Sequence, residues 1–158
     1  MGSSDVDAII ANWDCVGDEA LSIVRDGAVA ADLDALEAAH GLVLPPTFRE
    51  LYLRSDGTGS MDAYEIIFWP LDNIVEALAI NTQPEPPARW LWFADWRLSA
   101  RVFFLRFDPT RDAPTVEAYD AHPSADDELA RVTHVAPSFV AWLTQYRHDP
   151  GSLRPRPR

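Results

Sequence analysis

The spacing of apolar residues changes period along this chain, from helical at the start, to alternating or continuous in the middle, to helical again at the end. Ile9, Ile10 and Trp13 share one helical face, Leu21 and Val24 follow the turn at Gly17-Asp18, and Val29, Leu33 and Leu36 form the next stripe. Asp32 and Asp34 lie toward the positive end of that helix, and Gly41 is placed to end it as the left-handed residue past the last turn. Residues 42–45 read as an extended link. Pro46 can open the next helix, where its missing N–H costs nothing, and that helix would bury Phe48, Leu51 and Tyr52 before stopping at Ser55-Asp56-Gly57.

The middle is β-rich. Residues 64–69 (YEIIFW) predict a strand, followed by a short helix from Pro70 through Leu78 and a proline-rich loop over residues 81–89. Residues 90–94 predict a strand, and the nearly continuous apolar run over 101–108 predicts a central strand covered on both faces. Residues 115–119 alternate, with Val116 and Ala118 facing inward. Phe139, Trp142, Leu143 and Tyr146 then fall on one face of a final helix. The order predicts a single α+β domain: N-terminal helices, a mainly antiparallel sheet of about four to six strands, and a C-terminal helix packed on it.

Composition adds a charge argument. The chain has 158 residues and a net charge of −12, and all its bases are arginine. Such a surface repels nucleic acid and anionic lipid and steers basic partners toward itself. Acids crowd the first forty residues, where Arg25 is the one base, while the end of the chain (GSLRPRPR) carries Arg154, Arg156 and Arg158. The expected organisation is an acidic helical extension over 1–29, the α+β domain over 30–148, and a flexible tail over 149–158 that folding does not need. No apolar run approaches membrane-spanning length and no signal-peptide pattern opens the chain, so the expected compartment is the cytoplasm, as a monomer. The single cysteine, Cys15, suits a reducing environment.

Catalytic and metal templates find little. His40, His122, His134 and His148 make no metal-binding spacing, and Cys15 has no partner. Gly57-Thr58-Gly59 lacks the third glycine and the Lys-Ser/Thr of a phosphate loop, and reads as a turn. The run Asp126-Asp127-Glu128 lacks the alternating ligands of a calcium loop and reads as a solvated acidic loop. No catalytic residue, cofactor or metal is therefore expected. An enzyme would need residues such as Asp95, Asp108 and His134 to meet in a cleft. Trp13, Trp69 and Trp142 lie in apolar stripes and predict core positions. Trp90, Trp92 and Trp96 crowd one strand, where regular alternation would put all three on the face of Ala94, opposite Leu91 and Phe93. Trp96, at the strand's end, is the candidate interface anchor.

An ordered set of short signals resembles the SUKH superfamily, which includes bacterial toxin-immunity proteins and a fungal regulator of cell-wall assembly. The set begins with Glu37 and Gly41-Leu42-Val43-Leu44-Pro45, in the pattern E-x-x-x-G-x-x-LP. It continues through Phe48-Arg49-Glu50-Leu51-Tyr52, Ser55-Asp56-Gly57, residues 66–78, Trp92-Phe93-Ala94-Asp95 and Ser138-Phe139-Val140-Ala141-Trp142-Leu143. Two departures stand out. The family's glycine-rich turn between central strands is replaced by Trp96-Arg97-Leu98-Ser99-Ala100, and the helical N-terminus exceeds the usual domain start. The resemblance implies a non-enzymatic domain that binds a protein. The expected partner is a toxin domain, basic like a nuclease, captured through Asp95, Trp96, Asp126, Asp127 and Glu128. A constitutive intracellular scaffold and a small hydrolase stand as alternatives.

Overall fold

The computed structural model describes residues 3–14, 22–80, 88–120 and 132–155. Helices α1 (Ser3–Asp14), α2 (Ala30–His40) and α3 (Pro46–Arg54) precede strand β1 (Ile66–Phe68) and helix α4 (Leu71–Ile80). Strands β2 (Arg89–Trp96), β3 (Arg101–Phe107), β4 (Thr115–Asp120) and β5 (Val132–Ala136) follow, then helix α5 (Phe139–His148) and a 3₁₀ turn, Pro150–Leu153. The five strands lie in chain order, every neighbouring pair antiparallel. This is the α+β architecture expected from the sequence. β3 is the central strand and Val102–Leu105 are all buried, as its continuous apolar run predicts.

Two apolar clusters flank the sheet. The larger joins Leu91, Phe93, Phe103, Leu105, Val116 and Ala118 to Phe48, Tyr52, Phe139, Trp142 and Tyr146 from α3 and α5. The smaller packs Ala77 of α4 against Trp92, Val102 and Phe104, with Trp69, Trp90 and Tyr119 at its margin. The division corrects the expected alternation of the tryptophans. A β-bulge between Trp92 and Ala94 leaves Phe93 unpaired, and the pairing resumes with Ala94 opposite Phe103. Trp90 and Trp92 therefore face the small cluster, whereas Ala94 and Trp96 face the large one beside Leu91 and Phe93. One inserted residue swaps the faces of everything after it.

The motif around Gly41 has a mechanical basis. Gly41 ends α2 in the left-handed region (φ 62°), and its N–H reaches Glu37 O. The Glu37 carboxylate then accepts from Leu44 N at 2.6 Å and from Arg49 at 2.5 Å, which ties the extended link back to α2 and α3. Glutamate, glycine and Leu-Pro are thus parts of one corner, which explains their spacing.

Both chain ends enter the core. Val6, Ile9 and Trp13 of α1 are buried, and Trp13 Nε1 donates to Tyr146 Oη at 2.6 Å. The Tyr146 hydroxyl donates in turn to Asp62, whose other oxygen accepts from Tyr64 N and Ile66 N. Burial raises the Asp62 carboxyl above its usual range, partly offset by those three donors. The tail also departs from expectation at its start. Leu153 is 1% exposed in the large cluster and lies in the 3₁₀ turn, so the packed body extends at least as far as Leu153. A single leucine between polar residues gives no periodicity, which is why it reads as tail.

Candidate functional site

Among the described residues, the non-glycine residues with positive φ are Glu65 (66°), Arg97 (49°), Leu98 (52°) and Ser99 (69°). Each costs roughly 1–2 kcal/mol in the left-handed region relative to ordinary backbone. All four lie at one corner, where the β2–β3 turn meets the loop entering β1. Arg97 N donates to Glu65 O at 3.0 Å, and Ala100 N to Arg97 O at 3.3 Å. Strain repeated at one place persists only where surrounding bonds hold it, and such places are candidates for function.

Asp95 supplies much of that hold. Its Oδ1 accepts from Ser99 N at 2.7 Å, across the turn, and its Oδ2 from Trp69 Nε1 at 2.6 Å. The residue is 5% exposed, so the carboxylate faces inward and shapes the turn. Trp96 is half-buried against the large cluster, with the Arg97 guanidinium 4.7 Å above its ring. Arg97 also pairs with Glu65 at 2.8 Å; this hydrogen bond lowers the Glu65 pKa, and the nearby charge of Arg154 adds to the effect. Leu98, at the tip, is 79% exposed. Of the expected partner-binding residues, the structure brings Asp95 and Trp96 together at this corner; Asp126, Asp127 and Glu128 lie outside the described residues. Sequence reasoning did not single out Leu98 or Glu65. The missing glycines of the turn were the available signal.

A second feature is an open notch of about 490 Å³ lined by Arg25, Asp26, Ala28, Val29, Asp32 and Asp72, among others. The N-terminal ends of α2 and α4 meet there. Asp56 caps α4 by accepting from Leu71 N at 2.7 Å, while Asp32 and Asp72 sit in the first turns of their helices. Acids at these places complement two helix dipoles, so the notch has a folding explanation.

The three residues weighed for a hydrolase, Asp95, Asp108 and His134, do not converge. Asp95 pairs with Val102 near the start of β3, whereas Asp108 lies past its other end, about 20 Å away by strand rise. His134 is exposed on β5, opposite Glu117. Among the described residues no group of three or more His, Cys, Asp or Glu side chains is placed to hold a metal ion. None of the described helices is long and apolar enough to cross a membrane.

What the fold and corner define is an α+β domain built around a central antiparallel sheet, with a preformed, apolar-tipped turn at one end. The model of the SMI1 / KNR4 family (SUKH-1) matches residues 27–145, and the chain belongs to that family. No curated protein matches the chain. The match covers α2 through most of α5 and starts after α1, so the packed N-terminal helix is an addition to the part the family model describes.

Proposed function

We propose that this protein is an intracellular immunity protein that binds and neutralises a cognate toxin domain, a basic one such as a nuclease, and that binding centres on the corner carrying Trp96. Membership of the SUKH-1 family supports a protein-binding role. The observation that carries the choice of surface is the strained turn, which lifts Leu98 to 79% exposure beside the half-buried Trp96. A preformed turn loses little entropy on binding, and a few desolvated apolar anchors supply most of an interface's affinity. The net charge of −12 would raise the encounter rate with a basic partner, and Asp126-Asp127-Glu128 would add to that attraction.

The test asks whether a large secreted protein is encoded beside this one and, where it is, pairs this protein with that neighbour's C-terminal toxin domain. Co-expression should restore growth to cells making that domain, and the purified pair should associate more slowly as salt rises from low to physiological. Neutralising Asp126, Asp127 and Glu128 together should lower the on-rate, whereas Trp96→Ala should mainly speed dissociation, by at least about 2 kcal/mol. Absence of any such neighbour, or full toxicity of its toxin domain in the presence of this protein, would favour a constitutive binding scaffold of the same fold.

A further inference from the structure

The two edges of the sheet are finished differently. At β1 the preceding loop closes the edge. Asp62 N donates to Ile66 O at 2.8 Å and Asp62 Oδ1 accepts from Ile66 N at 2.9 Å; Thr58 N donates to Phe68 O at 2.9 Å and Thr58 Oγ1 accepts from Phe68 N at 3.1 Å. At β5 nothing comparable occurs among the described residues. Its backbone pairs with β4 alone, and the side-chain bond it receives runs from Arg101 to Thr133 Oγ1 at 3.0 Å. Every other residue of an antiparallel edge strand turns its N–H and C=O away from its neighbour. The usual protections of such an edge are mostly missing: Val132–Ala136 holds no Asp, Glu, Lys, Arg or Pro, and Val132, Thr133 and Val135 are β-branched. One protection is present, a bulge at Val135, which leaves Val132–His134 as the regular stretch, with Thr133 and His134 exposed.

We infer that β5 is a docking edge that takes an extended strand of a basic protein partner, adding a sixth strand to the sheet. This rests on the protein-binding reading above and gives that partner a second contact of defined chemistry. The backbone fixes the class of occupant, because outward N–H and C=O groups at strand spacing are matched by another extended chain. The edge is held ready: Arg101, 8% exposed, pairs with Asp120 and ties Thr133 to β3, so little order is lost on binding. The edge also continues the corner. Trp96 pairs with Arg101 and Arg101 with Asp120, while Tyr119 pairs with Val132, so one row of the sheet leads from the corner to the start of β5, about 14 Å away at strand spacing. The described charges flanking β5 are themselves paired, Arg101 with Asp120 and Arg106 with Glu117, so the net charge of −12 sets the sign of the field. In the sequence entering β5, which lies outside the described residues, Asp126, Asp127 and Glu128 outnumber Arg131 and keep that sign. Such a field draws in a basic chain and opposes a second copy of this acidic one. A nucleic acid offers no ladder of N–H and C=O groups and would be repelled.

Amide exchange reads the inference directly. The full chain is measured alone, then saturated with the neighbouring toxin domain where one is encoded, and with peptides selected on it from a random phage-displayed library. Alternate amides within Val132–Ala136 should exchange fast in the free protein although the strand is ordered, and at least about tenfold slower in the complex, whereas those of Ile66 and Phe68 should not change. The selected peptides should carry Lys or Arg, and their protection of β5 supports the inference even if the toxin domain fails to bind. His134→Lys and His134→Glu each place a charge at the seam on an exposed position, so the unfolding midpoint should stay in place. The lysine should weaken binding about tenfold and the glutamate by less, because the added strand is basic. No enrichment of peptides, unchanged β5 exchange with both probes, indifference to both variants, or a greater loss with glutamate would each overturn the inference. Protection of the same amides by protein concentration alone, with a dimer in sedimentation, would also overturn it, by making a second copy the occupant. The corner is scored separately. Weaker binding by Trp96→Ala with no β5 protection leaves the proposed function standing without this edge, and β5 protection with no loss at Trp96 moves the contact to the edge.

Discussion

Left-handed backbone occurs both at the β2–β3 corner and at Gly57 beside the acidic notch, and the two places treat it oppositely. At Gly57 (φ 69°) a Cβ would lie 2.5 Å from Phe68 O, so the position is closed to any side chain. At the corner the same conformation is held by Arg97, Leu98 and Ser99, all exposed. Glycine at Gly57 therefore serves folding, through close approach of two backbones. Its absence from the corner keeps strain there that folding does not need. The charges divide in the same way: the notch acids compensate helix ends, whereas the corner's Arg97–Glu65 ion pair lies at the surface. Where a costly feature has a packing reason, function need not be invoked.

The comparison breaks most sharply at Gly57. Gly57→Ala combines a disfavoured backbone region with a clash against main chain, and should cost about 3 kcal/mol or more in denaturant unfolding. Asp95→Ala comes next. It strands the part-buried Trp69 Nε1 and releases Ser99 N, and should lose about 2 kcal/mol together with the ordered turn, visible in amide exchange at Ser99. Asp56→Ala removes the cap of α4 and should cost about 1 kcal/mol, with no effect on partner binding. Leu98→Gly should have the opposite sign, gaining about 0.5 kcal/mol as relief of strain slightly exceeds the added freedom of the unfolded chain, while binding weakens. A loss of stability on Leu98→Gly would mean that the tip packs on the body. The smallest effect is in the pH dependence. The Glu65 pKa is lowered in the folded state, so its contribution to stability is present above the pKa of an unfolded glutamate and is lost as pH falls through the folded value. An NMR titration should show Glu65 protonating below the ordinary glutamate range in the wild type, and returning toward it in Arg97→Gln.

The sequence by itself determined most of the elements and their order, although residues 22–29, read as part of a helical extension, form no helix and bridge Thr58 through Val24. The stripe at Phe139, Trp142, Leu143 and Tyr146, the run over β3 and the proline at the start of α3 are local periodicities and local sterics, which need no partner to be read. The family signals around Glu37 and Gly41 were legible for the same reason, since every bond in that corner spans a short stretch of chain. Trp96 could be picked out as a candidate, but its surroundings could not. Only the tertiary structure decided that a bulge after Trp92 sends Trp96 to the other face, that Asp95 turns inward to Trp69, and that Glu65 meets Arg97. It also decided that Val6, Ile9, Trp13 and Leu153, at opposite ends of the chain, complete one core. Each of these depends on pairing between residues far apart in sequence, where a one-residue shift in register reverses which side chains meet, and no local pattern encodes that shift.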